Sequence, residues 1–178
     1  MIHDQGVVCA NGHKLTAVAR ALPERAPTFC RKCGEAAIRQ CEGCKTPLQG
    51  AVVYHPIING IEPAWSVPNN CHSCGKPFPW TERKQKALIA AISELEDIEQ
   101  SERDQLTDIV PDTITETPNT SMAVLRWQRV LSKVHGRARD FVVDVLKQAA
   151  VSILLQKIGV YARSSLNEST AGRSKTAA

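Results

Sequence analysis

The sequence predicts a chain in two parts: a small, turn-rich β module over residues 1–80, followed by an α-helical C-terminal region of about four helices over residues 81–165. Three observations predict it. All seven cysteines fall between Cys9 and Cys74, leaving more than half of the 178 residues without any. Six prolines between Pro23 and Pro68 confine the first part to short strands and turns. After Trp80 the composition turns to Ala, Glu, Lys, Leu and Ile, with apolar residues recurring every three or four positions.

The cysteines define the first part. The opening segment MIHDQGVVCANGHK has no basic stretch leading into an apolar run, so it does not read as a secretory signal, and a cytoplasmic location is expected. In a reducing compartment paired CxxC motifs serve as metal ligands or redox dithiols rather than structural disulfides. Three such pairs occur, Cys30/Cys33, Cys41/Cys44 and Cys71/Cys74, and Cys9 with His13 in CANGH supplies a fourth half-site. Eight ligands make two closed tetrahedral sites, so the module reads as two zinc ribbons with short β-hairpins, holding two structural Zn2+ ions per chain. Glycines after Cys33 and Cys74, and Gly12 in CANGH, suit turns that need positive φ.

Spacing favours sequential pairing, with Cys9, His13, Cys30 and Cys33 on one ion and Cys41, Cys44, Cys71 and Cys74 on the other. Sixteen and twenty-six residues then separate the two halves of each ribbon, room enough for a hairpin. The alternative is a nested arrangement that joins Cys30/Cys33 to Cys41/Cys44 across seven residues. Redox chemistry fits less well, because a thioredoxin-like site uses one pair at a strand-to-helix turn. Catalytic zinc keeps a coordination position open, which eight protein ligands on two ions do not. His72, inside CHSC, reads as an exposed turn residue.

The segments VCANGH, FCRKCGEAAIRQCEGC and CHSCGKPFPWTE resemble the signature of an uncharacterised bacterial zinc-ribbon family, a domain of unknown function. Further on, TPNTSMAVLRWQRVLSKVHG resembles the C-terminal helical segment of that family. The resemblance implies a bacterial source, metal-binding ribbons and no established activity. It supports the same eight ligands and carries over no catalytic residue.

Within the module, QGAVVYHPIING is β-branched and ends in Asn59-Gly60, which predicts two strands joined by a tight turn. Thr81 is a candidate N-cap for a helix running to about Glu99, with Leu88, Ala91, Ile92, Leu95 and Ile98 on one face and Glu94, Glu96, Asp97 and Glu99 crowding its end. Ser101 with Asp104 caps a short helix to about Ile109, and PDTITETPNTS reads as a linker. A third helix starts near Ser121 and buries Ala123, Trp127, Val130, Leu131 and Val134; Gly136 interrupts or ends it. A fourth helix, from Arg139 to Ala162, is apolar around well over half its circumference, which suggests burial in its own domain or self-association. It carries too many charges for a membrane span of about 18 apolar residues. Residues 166–178 are expected to be disordered.

Charge divides in blocks: +3 over residues 1–80, −6 over 81–118 and +7 over 119–178, for a total of +4. Such blocks either contact one another or offer a surface to an anionic partner. Arg126, Arg129, Lys133 and Arg137 share one side of a basic helix over 122–137, which motivates a nucleic-acid-binding reading. A solvated or internally neutralised face is the simpler account. No Ser/His/Asp constellation, phosphate-cradling glycine loop or carboxylate pair marks an active site, and His3, His55, His72 and His135 have no recognisable catalytic neighbour. The expectation is therefore a non-catalytic protein-interaction or scaffold module with a protein partner, able to form homo-oligomers through helix 139–162.

Overall fold

A computed structural model describes residues 2–53, 63–150 and 152–159. It divides into two compact units, Met1–Arg83 and Lys84–Ala178. The expected Asn59-Gly60 turn, Tyr54, His55, the end of the fourth helix beyond residue 159 and the 166–178 tail lie outside the described residues.

The first unit is built of β1 (Ile2–Gln5), β2 (Val7–Cys9), β3 (Lys14–Thr16), a 3-10 turn at Pro23–Arg25, β4 (Ala37–Ile38) and β5 (Gln49–Val53). β2 is the middle of an antiparallel β3-β2-β4 sheet, and β1 pairs antiparallel with β5. Thus the first half of the expected hairpin finds its partner at the chain's start, with Ile2 opposite Val53 and Gln5 opposite Gln49. Val7, Val8 and Cys9 are all buried, so β2 reads as a continuous apolar run rather than an alternating one. Where the sheets meet, a Cβ on Gly50 would stand 2.2 Å from the Ala17 carbonyl, so only glycine fits there.

Two small cores fill this unit. One gathers Val8, Leu48, Phe78 and Trp80 with Cys41 and Cys71; the other gathers Ala17, Val18, Ala51 and Val53. Phe78 stacks on Trp80 with ring centroids 4.5 Å apart, and the Trp80 indole N–H donates to the Pro68 carbonyl at 2.8 Å. Asp4, nearly buried, accepts the backbone N–H groups of Gln5, Arg20 and Ala21, which makes it a structural anchor rather than a free acid.

The helices are α1 (Pro79–Ser93), α2 (Gln100–Asp108), α3 (Val110–Ile114), α4 (Thr120–Lys133), α5 (Gly136–Ala149) and α6 (Ser152–Lys157). Among the described residues four of the six exceed two turns, in line with about four helices, but several boundaries differ from expectation. α1 begins at Pro79, a residue suited to a helix's first turn, and the Thr81 hydroxyl donates to the Asn69 carbonyl instead of capping. α1 also stops at Ser93, short of Glu99. Acidic groups oppose the dipole at a helix C-terminus and favour an N-terminus. The chain therefore leaves the helix before Glu94, and Glu99 becomes the N-cap of α2 in a capping box with Glu102, two residues before the expected Ser101 cap. The Arg103 guanidinium donates to the Leu95 carbonyl, satisfying a group the early stop leaves bare.

The expected linker over PDTITETPNTS contains α3, because Pro111 sits in a first turn where no N–H is needed. The third helix ends at Lys133: Val134 and His135 are extended, and Gly136 has φ +59°. The fourth is broken at extended Ala150 (ψ 156°) into α5 and α6. A straight helix turns only one face to a core, whereas the break lets Val142, Leu146 and Ala149 of α5 and Leu154 and Leu155 of α6 join one cluster. Much of the segment's apolarity is thereby spent within its own unit, although Phe141 stays 50% exposed. α4 packs on α2, α3 and α6, and fully buried Trp127 donates to the Thr113 hydroxyl at 2.9 Å. Among the described residues no helix is long and apolar enough to cross a membrane.

Candidate metal centres

Three of the four half-sites are copies of one knuckle. In each, the first cysteine's N–H bonds to a carbonyl five residues on, and the residue after the second cysteine returns its N–H to the first cysteine's carbonyl. Cys30 N–H reaches Glu35 at 2.8 Å, Cys41 reaches Thr46 at 2.9 Å and Cys71 reaches Lys76 at 2.8 Å. Phe29 and Ala36, Gln40 and Pro47, and Asn70 and Pro77 bridge across the respective bases. The closing residues Gly34, Lys45 and Gly75 have φ of +74°, +60° and +71°. The glycines fall where expected, but Lys45 takes the same left-handed backbone without glycine's freedom. The Cys9–His13 half-site is a shorter turn closed by Gly12 at φ +85°.

The structure brings the eight residues together in two groups, Cys9, His13, Cys30, Cys33 and Cys41, Cys44, Cys71, Cys74, with the ligand atoms of each within 4.8 Å of one another. This is the sequential grouping. The interatomic distances test what such a group could hold. Tetrahedral zinc with Zn–S about 2.3 Å and Zn–N about 2.05 Å requires S···S edges of about 3.8 Å and S···N edges of about 3.6 Å. Cys9 and Cys33 sulfurs are 3.7 Å apart, Cys41 and Cys74 3.7 Å, and Cys44 and Cys71 3.6 Å. His13 Nδ1 lies 3.5 Å from Cys9 Sγ and 3.6 Å from Cys30 Sγ. These are tetrahedron edges, too long for disulfides at about 2.05 Å.

Local polarity favours thiolates at several positions. The Thr46 hydroxyl, 3.2 Å from Cys44 Sγ, and then the Thr46 N–H draw the Cys44 thiol down to about 6. The Glu35 N–H lowers the Cys33 thiol, whereas burial raises that of Cys9. Thr46 is a supporting residue that the sequence does not advertise. Arg83, at the start of α1, ties the two halves of the first cluster by donating to Asn11 and pairing with Glu35 at 3.3 Å. His72 is exposed and belongs to neither cluster.

The expected basic stripe is not one surface. Arg137 belongs to α5, beyond the break at Val134–Gly136, rather than to the helix that carries Arg126, Arg129 and Lys133. Lys133 bonds Glu102 at 2.5 Å, and Arg126 donates to the Gln105 carbonyl. The Lys133 ammonium, with help from Glu99 N–H and Arg129, lowers the Glu102 carboxyl. At this point the acidic and basic blocks contact each other.

Around the first cluster lies a feature the ligand pattern does not reveal. A cleft of about 400 Å³ is bordered by His13 and Cys30 and by Lys14, Arg25, Arg31 and Lys32, with Glu24 the one acidic residue among the described residues of its lining. Arg31 and Lys32 were readable as the two residues inside the first CxxC; Lys14 and Arg25 come to it only through folding.

No curated protein and no solved structure matches the chain. Residues 2–158 match a family described as "Uncharacterized protein conserved in bacteria (DUF2321)", and the chain belongs to that family.

Proposed function

We propose that this is a non-catalytic zinc protein whose N-terminal unit is a metal-built platform for a protein partner and whose helical unit supports assembly. The observation that carries the reading is the pair of closed four-ligand groups with tetrahedral edge lengths. Cys9, His13, Cys30 and Cys33 would hold one Zn2+ and Cys41, Cys44, Cys71 and Cys74 the other, and each ion would supply folding energy rather than chemistry. Cores as small as those of the first unit cannot readily hold a fold by burial alone. Thiols without disulfide partners suit a reducing cytoplasm. Half-exposed Phe141 on α5 supports self-association through the helical unit. Contact with nucleic acid through α4 is the weaker reading, since Lys133 and Arg126 already have partners and Arg137 is on another helix.

Metal analysis of the purified chain tests this directly. Two zinc equivalents are expected, and fewer in both Cys9→Ser/Cys30→Ser and Cys41→Ser/Cys71→Ser. Chelation should abolish the near-ultraviolet dichroism of the buried Phe78–Trp80 stack. One equivalent or none in the unmutated chain, or an unchanged signal after complete metal removal, would refute the assignment.

A further inference from the structure

We propose that the first turn of α1 is a metal-dependent switch: loss of zinc unwinds Pro79–Arg83 and releases Phe78 and Trp80 to solvent, while the rest of α1 stays folded in the helical unit. The helix Pro79–Ser93 crosses the division of the chain, with Arg83 the last residue of the first unit and Lys84 the first of the second. Its two parts are held by different means.

The first turn is held by loops that carry metal ligands. Trp80 is 1% exposed, and its indole N–H donates to the carbonyl of Pro68, just ahead of Cys71. Against it lies Gly12 of the Cys9–His13 turn, where a Cβ would stand 3.0 Å from that of Trp80. The Phe78 N–H and the Thr81 hydroxyl both donate to the Asn69 carbonyl, at 3.0 and 2.6 Å. Arg83 donates to Asn11 and pairs with Glu35, just beyond Cys33. One turn of helix thus touches half-sites of both clusters. The core around Phe78 and Trp80 includes Cys41 and Cys71 themselves, so it disperses when the ligand loops do.

Further along α1, Leu88 and Ile92 join a core of nineteen buried residues that reaches Leu155 and includes no metal ligand. The two cores of the first unit gather only six and four. Burial can sustain the larger core without an ion, but not the smaller ones. The competing account is a single cooperative chain, in which continuous α1 carries unfolding from one unit into the other. The residues at the division argue against it. Arg83, Lys84 and Lys86 place three cations in the opening turns of the helix, where the dipole disfavours them, against Glu82 alone. Without the Glu35 pair and the Trp80 contacts this end has little to resist fraying, and unwinding stops ahead of Leu88, where burial in the helical core begins. The proposal rests on reading the two cysteine groups as zinc sites, since the ions hold these loops in shape.

Amide hydrogen exchange of the full chain, read by mass spectrometry with zinc bound and after chelation, tests it. On metal removal, peptides over residues 80–86 should lose about tenfold protection or more, whereas those over 88–93 and 123–131 should hold theirs within about threefold. Trp65→Phe/Trp80→Phe leaves fully buried Trp127 as the one tryptophan, so the helical unit can be followed by fluorescence in chain dilute enough to stay dispersed. After complete chelation its emission should remain that of a buried indole and shift to the red only in urea. The proposal is overturned if residues 80–86 keep their protection in the metal-free chain, if 123–131 lose theirs along with them, or if Trp127 emission shifts to the red on chelation alone. Zinc content is measured on every sample. A two-ion chain whose α1 exchange ignores metal removal defeats this proposal alone, whereas a chain that takes up no zinc defeats the metal reading beneath it and this proposal with it.

Discussion

Gly34, Lys45 and Gly75 occupy equivalent places in three knuckles, and only the second is not glycine. A left-handed backbone costs a residue with a Cβ about 1–2 kcal/mol. Glycine's greater freedom in the unfolded chain returns about 0.4–1 kcal/mol of that. Lys45→Gly should therefore stabilise the knuckle by about 0.5–1 kcal/mol, and because the cluster forms only on folding, the gain should be read as tighter zinc binding by about two- to fivefold. Losing the Lys45 ammonium near four thiolates acts in the opposite direction, so the comparison belongs at about 0.5 M salt, where exposed charges are screened within a few ångströms. The reciprocal changes supply the control. A Cβ added at Gly34 or Gly75 meets nothing within 4 Å, so Gly34→Ala and Gly75→Ala should weaken the first and second clusters, respectively, by a similar factor through backbone strain alone. Competition against a chromophoric chelator measures all three. If Gly75→Ala weakens the site while Lys45→Gly leaves it unchanged at high salt, backbone strain at Lys45 is not what limits the second cluster.

Two further predictions concern the helical unit. Thr113 is fully buried, accepts from the Trp127 indole and donates to the Ile109 carbonyl, so Thr113→Val strands the indole N–H and should cost about 1–3 kcal/mol in urea unfolding; Trp127→Phe should cost less in the Thr113→Val background than alone. Glu102 has its carboxyl lowered by Lys133, so its contribution is present above the ordinary carboxylate range and is lost as pH falls through the lowered value. The stability gap between the parent chain and Glu102→Gln should accordingly be widest near neutrality and close in acid, and a gap that widens on acidification would contradict the pairing.

Chemistry that depends on short spacing was legible before the fold. The CxxC pairs, the CANGH half-site and the glycines at Gly12, Gly34 and Gly75 follow from what a tetrahedral ion asks of a few consecutive residues. The buried faces also followed: Leu88, Ala91, Ile92, Leu95 and Ile98 are all core, though Leu95 and Ile98 lie beyond the end of α1 at Ser93, outside the helix in which the periodicity places them. Boundaries were less legible because apolar periodicity is blind to the dipole, which moved Glu99 from the end of one helix to the start of the next. The stripe of four cations divides for a related reason: spacing assigns a shared face only while the helix continues, and the chain leaves it after Lys133, so Arg137 falls on α5. The cleft by the first cluster could not be read along the chain, since Lys14, Arg25 and Arg31 are brought side by side only by the folded knuckle. Asp4 gave no signal at all, because its partners at Arg20 and Ala21 are backbone groups.

The pairing of β1 with β5 gives the two metal centres a common fate. β1 precedes the first ligand, Cys9, while β5 lies between the two halves of the second cluster, Cys44 and Cys71. Gly6 N–H bonds the Leu48 carbonyl, and the Gln5 side chain donates to Arg39, so the same few residues stitch segments belonging to both clusters. No single cut divides the unit into two autonomous ribbons. An ion at either cluster therefore lowers the entropy that must be lost in forming the other, and the module should load its metals cooperatively, filling or emptying over a narrow range of free zinc. A module so stitched should have few half-built states: it should be folded above a threshold of metal supply and unfolded below it.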